Sequence, residues 1–419
     1  MFQLVTVLVS FATVPLLGKL KVSLGASLIA TAIIMALLNG LGVVDILHVF
    51  RGVFVTESAP GVFIASSSLN TILVVAVVSV IGTLMKTYGV LDKVVEGLSE
   101  LIKDKRILMI IVPALIGTLN IPGGAVLSAP FAFSLGEELS MEKPKRAASN
   151  LVFRHVAMFV LPYSNSLLVA SSLTGLAIGS LVSVNVFFAI AMVTTGFFLF
   201  LRKCPNPKRT APKTRSSFES LKQVLIYGSP IYVCILLFMI TGIPLYICML
   251  GSVVMIYFLS TKENFFPLAL KSIGIKTVIA IIGVFMIQGV VGHLSGLTDL
   301  FHQMFATGTL ILPALMLASL LFGLITGFHI ASLSIVLPMI MSLNLGTGQM
   351  LAYMYFSYCW AFLGYYFSPL HMCQIFTCEY MEVSIKDLYK VYAPLIVIVT
   401  AFLFVSYFAF SQILPLIYG

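Results

Sequence analysis

The sequence predicts an all-α membrane protein: inverted repeats of about five transmembrane helices plus one re-entrant hairpin each. Three observations lead there. First, 60% of the 419 residues are hydrophobic and only 9% are charged, against about 25% charged in a soluble domain. The solvent for most of this chain is therefore lipid. Its apolar runs are long rather than alternating, and in lipid only helices or closed barrels satisfy every backbone N–H and C=O. Second, two apolar stretches are too long for one crossing and too short for two, and both carry helix breakers near their middle. Third, these breaks recur in the same order in both halves of the chain.

The elements follow in order. Crossing helices are expected over 2–17, 22–41, 70–85, 151–176 and 178–201 in the first half. In the second they are expected over 224–240, 243–259, 277–294, 351–376 and 391–410. A basic, Pro-containing linker at 203–221 divides a first repeat (1–202) from a second (222–419). The ambiguous stretches are 107–137, interrupted at Asn120-Ile-Pro-Gly-Gly124, and 308–343, interrupted at Thr326-Gly327. A full crossing needs about 20 residues, so each stretch reads as two short helices that enter and leave on one side. Irregular backbone at that depth is tolerated where it is buried in protein or faces a wet cavity. The helices that follow, at 148–176 and 350–380, break at Pro162 and Pro369. Val112-Pro-Ala-Leu115 echoes Leu312-Pro-Ala-Leu315, Gly117 echoes Gly323, and Pro130 echoes Pro338.

Charge fixes the expected orientation. With both termini outside and each hairpin returning to its own side, every Lys and Arg except Arg51 falls on the cytoplasmic side, as the positive-inside rule requires. The net charge of +9 is accounted for by this topology, and no nucleic-acid partner is expected. The first apolar run is followed by Lys19 and Lys21 rather than a cleavage site, which reads as a retained span. The expected location is the inner (plasma) membrane. The six cysteines show no metal-ligand spacing with histidine and imply no disulfide framework.

Four breaks are expected to converge. They are the tip with Asn120, Gly123 and Gly124; the Pro162-Tyr-Ser164-Asn165-Ser166 break; Thr326 with His329 just beyond; and Ser368 with His371. Half-helix N-termini present N–H groups to an anion, while unwound carbonyls and neutral side chains can hold Na⁺. Asn120, Pro162, Ser166, Thr326 and Ser368 are the candidate Na⁺ ligands. Arg154, two turns before the Pro162 break, either draws an anionic substrate or snorkels to the headgroups. No Asp or Glu falls mid-span, so proton coupling would rest on His155, His329 and His371. No nucleophile–base pair, zinc motif or nucleotide loop is present, so neither an enzyme nor a cofactor is expected.

Three segments carry a family likeness: LNIPGGAVLSAP (119–130), FRH…LPYSNS (153–166) and YYFSPLHMCQIFTCEY (365–380). They resemble an uncharacterised prokaryotic membrane family related to gluconate permeases, within the ion transporter superfamily. The resemblance implies a dimerising scaffold, a transport domain that moves as an elevator, and organic-anion substrates, often Na⁺-coupled. Divalent-anion carriers of that superfamily have Ser-Asn-Thr at each hairpin tip. Here those positions read Leu119-Asn120-Ile121 and Ile325-Thr326-Gly327, so only Asn120 matches. The expected function is secondary transport of a small carboxylate. A cation/proton antiporter is the alternative; a channel or intramembrane enzyme is less favoured.

Overall fold

The computed structural model describes residues 2–59, 62–119, 125–206, 216–296, 299, 303 and 310–418. The chain is helical almost throughout. In the first half, α1 (Phe2–Lys19), α2 (Leu24–Leu38) and α3 (Val43–Phe54) lead into a strand pair, β1 (Val55–Ala59) and β2 (Val62–Ala65). Then come α4 (Ser67–Thr87), α5 (Val90–Leu101), α6 (Lys105–Gly117), α7 (Ala125–Glu138), α8 (Lys143–His155), α9 (Ala157–Val160), α10 (Asn165–Thr174) and α11 (Ile178–Gly196). The second half holds α12 (Ser217–Thr241), α13 (Leu245–Leu259), α14 (Phe265–Lys271) and α15 (Ile275–Val291). It continues through α16 (Ile311–Thr326), α17 (His329–Ser342), α18 (Thr347–Phe367), α19 (Met372–Met381) and α20 (Ile385–Tyr418).

Among the described residues, six helical segments are long and apolar enough to cross a membrane: Ser67–Thr87, Lys143–Thr174, Ile178–Leu201, Ser217–Thr241, Phe265–Val291 and Ile385–Tyr418. The ten crossings expected from hydropathy are therefore not ten uniform helices. α2 and α13 have 15 residues each, about 22 Å at 1.5 Å per residue, against a hydrocarbon core of about 30 Å. Ser23 caps α2, and Gly40 in the left-handed region (φ 80°) follows its end, so local turn chemistry cuts the apolar run short. The run expected at 391–410 is instead the middle of a 34-residue helix. The short strand pair is an addition to the all-α expectation. Its register, Val55↔Ala65, Thr56↔Ile64 and Glu57↔Phe63, suits β-branched and aromatic residues. Ser66 anchors it by donating to the Val53 carbonyl at 2.5 Å.

Hydropathy cannot say which helices are central; packing does. Every residue from Leu351 to Gly364 of α18 is buried, as is every residue from Ala147 to His155 of α8. A helix buried all round lies in the middle of a bundle. By contrast α12 and α20 expose Phe218, Met239, Ile240, Val397, Val405 and Leu416, the surface that lipid would cover.

The contacts come in matched pairs. α6 packs on α7 and α8, as α16 packs on α17 and α18. α2 packs on α15, as α13 packs on α4; α10 packs on α17, as α19 packs on α7. The last two pairings cross between halves, so the end of each broken helix lies against the hairpin arm of the other half. Glycines permit the closest approaches. A Cβ on Gly117 would meet the Arg154 carbonyl oxygen at 2.1 Å, and one on Gly364 would meet the Leu320 carbonyl oxygen at 2.2 Å.

Candidate functional site

The backbone breaks where Pro and Gly remove helical hydrogen bonds, and side chains take up the freed carbonyls. Ser164 and Tyr358 both donate to the Met158 carbonyl, at 3.2 and 2.6 Å. Tyr389 donates to the Phe367 carbonyl at 2.9 Å, and His371 Nδ1 meets the Tyr366 carbonyl at 3.3 Å. At the second tip, Gly327 (φ 60°) closes α16 by donating to the Gly323 carbonyl at 3.0 Å. A side chain there would also strike Leu370 at 2.7 Å, so only glycine brings this tip against the break beside Ser368.

Three of the four interrupted regions, and the end of the helix that leads to the first tip, reach one cavity of about 490 Å³. Gly117 represents the first hairpin; Ser164, Asn165 and Ser166 the first broken helix; Gly327 to Ile330 the second hairpin; and His371 to Cys373 the second broken helix. Arg154, His155 and Tyr365 line it too, and Lys276 stands exposed on its wall.

Five helices begin at this wall. The first turns of α2, α10, α15, α17 and α19 contribute Gly25, Asn165, Thr277, His329 and Met372. Each helix N-terminus carries roughly half a positive charge on unsatisfied N–H groups. Arg154 adds a full charge, is only 5% exposed, and has no acidic partner among the described residues. Its Nη1 also has no hydrogen-bond acceptor among them. It does not reach outward to solvent. No carboxylate lines the cavity among the described residues. α6, α8, α16 and α18 also end at this wall, at Gly117, His155, Gly327 and Tyr365, and their C-terminal carbonyls offset the N-terminal dipoles. The positive charge of the wall therefore rests on Arg154 and Lys276, which suits an anion.

Two further polar atoms in the wall have no partner among the described residues: Asn165 Oδ1 and His371 Nε2. His329 differs. Its Nε2 donates to the Tyr358 carbonyl at 3.0 Å, which leaves Nδ1 to accept from the Ser166 hydroxyl at 2.9 Å. This histidine pins α17 to α10 and α18, and both its nitrogens are occupied.

The other residues singled out from sequence are placed as follows. The Thr326 hydroxyl donates to the Phe322 carbonyl at 2.7 Å, and the Ser368 hydroxyl donates to the Leu324 carbonyl at 2.7 Å. Thr326 caps its own helix, Ser368 ties the second break to α16, and neither lines the cavity. Pro162 is half-buried at the first break. Asn120, Gly123 and Gly124 lie outside the described residues. Sequence reasoning missed Lys276, which looked like one more topological cation, and Tyr365, which looked like packing. It also found no metal-ligand spacing between cysteine and histidine. In fact His155, His371 and Cys373 place ligand atoms within 4.8 Å of one another. They come from two helices far apart in sequence, so spacing could not reveal them.

Interrupted apolar helices around a cavity that holds a buried arginine define a polytopic α-helical protein of membrane type. The chain belongs to the family described as "Protein of unknown function (DUF401)", whose profile matches residues 2–410. No curated protein matches the sequence.

Proposed function

We propose that this protein is a secondary active transporter of a small organic anion, a carboxylate, working by alternating access. The observation that carries the reading is Arg154, buried and without an acidic partner among the described residues, in a cavity where five helices begin. An unpaired buried charge costs several kcal/mol, and an anionic solute relieves that cost. The paired packing of α6–α8 and α16–α18, with its exchanges between halves, supports an inverted-repeat architecture. In such folds the site lies where broken helices meet. The motif likeness to relatives of gluconate permeases supports the same class and an elevator-type, dimeric assembly in the plasma membrane. In the proposed orientation both termini face outside.

Coupling to Na⁺ or H⁺ completes the proposal. A cation/proton antiporter is the second reading. It is disfavoured because no carboxylate lines the cavity among the described residues, and such exchange ordinarily uses an intramembrane Asp or Glu.

The test is thermal stability of the purified protein against a panel of mono- and dicarboxylates, with and without Na⁺, followed by uptake into proteoliposomes. At a hundredfold excess over Kd a ligand adds about 2.7 kcal/mol of stability, readily seen as a raised midpoint. Saturable, counterflow-competent uptake of the stabilising carboxylate is expected. Non-saturating flux would make the protein a channel. Stabilisation by cations alone would leave the antiporter.

A further inference from the structure

The geometry points to a binding site for a zinc-class transition-metal ion, held by His155, His371 and Cys373, with its fourth position open to the cavity. The inference rests on ligand geometry and stands whether or not the protein carries carboxylates. His155 ends α8, while His371 and Cys373 flank the start of α19, so the ligands come from both broken helices. One ligand atom from each lies within 4.8 Å of the other two, and the two imidazole rings stand 5.0 Å apart at 73°. Tetrahedral zinc, with Zn–N about 2.0 Å and Zn–S about 2.3 Å, holds its ligand atoms roughly 3.5 Å apart. Small side-chain rotations close that gap.

The tautomers are already set. His155 Nδ1 lies 2.6 Å from the Leu151 carbonyl, and His371 Nδ1 lies 3.3 Å from the Tyr366 carbonyl. A carbonyl only accepts, so both Nδ1 atoms carry the proton and both Nε2 atoms present lone pairs. A carbonyl behind the ligating imidazole is the usual outer arrangement in metal sites. His371 Nε2 is the informative atom. The residue is 1% exposed, and this nitrogen has no hydrogen-bond partner among the described residues. His155 Nε2 has only a long contact, 3.3 Å, to the Tyr365 hydroxyl, which a metal would displace.

Two imidazoles and a thiolate select zinc-like or copper-like ions over Mg²⁺ and Ca²⁺, which take oxygen ligands. The thiolate cancels one charge of the ion. Arg154 lines the same cavity, so an anionic fourth ligand, a carboxylate or hydroxide, is favoured over neutral water. An ion bound here ties α8 to the α18–α19 break and fixes the broken helices relative to each other.

The experiment uses the full-length protein, metal-stripped in detergent, with Zn²⁺, Mg²⁺ and Co²⁺ as probes. After gel filtration, elemental analysis should find one Zn²⁺ per chain and no retained Mg²⁺. The Co²⁺ form should show a thiolate-to-metal charge-transfer band. His371→Gln and Cys373→Ser should each weaken Zn²⁺ binding at least roughly ten-fold. Cys373→His, which supplies a third imidazole, should keep the metal and lose the band. Absence of both Zn²⁺ retention and the Co²⁺ band in the wild type overturns the site. So does wild-type affinity in both His371→Gln and Cys373→Ser.

Discussion

At the scale of single residues, Arg154 carries most of the functional argument. Guanidinium forms a planar, bidentate match to carboxylate, whereas lysine offers a point charge. A charged hydrogen bond is worth about 1.5–3 kcal/mol, so Arg154→Gln should weaken carboxylate binding roughly ten- to hundredfold. Arg154→Lys should retain attraction and lose the two-point contact, giving an intermediate affinity. Equilibrium binding of the stabilising carboxylate to all three proteins, at low and high salt, measures this. Three equal affinities would make the arginine a packing residue. His329 sits on the other side of the distinction. With both nitrogens engaged between Ser166 and Tyr358, it is a joint between helices, and His329→Ala should lower stability more than selectivity. In the sequence the three membrane histidines read as equals; only their hydrogen bonds separate the joint from the two with an unpartnered or weakly held Nε2.

At the scale of elements, the breaks are held by close helix contacts rather than by flexible loops. Gly117 lets α6 touch the α8 backbone beside Arg154, and Gly364 lets α18 touch α16. Overfilling a packed contact costs about 1–3 kcal/mol. Here the obstacle is backbone, so Gly364→Ala should fall at the upper end of that range and lower the thermal midpoint in detergent. Gly179 in α11 has nothing within 4 Å of its would-be Cβ. Gly179→Ala should leave the midpoint unchanged or raise it, by up to about 1 kcal/mol of helix propensity. Similar losses in both variants would show that the contact at Gly364 is loose. Both glycines read alike in the sequence, because close approach is a property of the partner helix. The breaks themselves were legible, since Pro162, Pro369 and Gly327 act through their own backbone. The hydroxyls of Thr326 and Ser368 were not: as polar groups near a break they resembled ion ligands, yet Thr326 caps its own helix and Ser368 bonds to the Leu324 carbonyl of α16.

At the scale of the whole molecule, the proposed inverted repeat makes a geometric demand. The turns at Glu142 and Gly346 follow equivalent hairpins, both are exposed, and inverted repeats put them on opposite faces of the membrane. In a background with the native cysteines replaced, Glu142→Cys should react with an impermeant maleimide only from the cytoplasmic side. Gly346→Cys should react only from outside. Labelling of both from one side would remove the inversion and with it the reason to expect alternating access.

Composition and the length of the apolar runs marked this chain as helical and of membrane type, because 60% apolar residues with 9% charge point to lipid as solvent and long unalternating runs suit helices rather than barrel strands. Pro and Gly positions determined where the helices stop, because those residues act on their own φ angles and hydrogen bonds. Tertiary structure decided everything that depends on which segments meet. It made α8 and α18 central and α12 and α20 peripheral. It placed a strand pair before α4. It brought Lys276 and Tyr365 to the cavity, and set His155 beside His371 and Cys373. Hydropathy reports how much of a residue prefers lipid or protein to water, and both interiors are equally apolar. The partner that a buried face meets is a pairwise fact, and one chain read in order does not contain it.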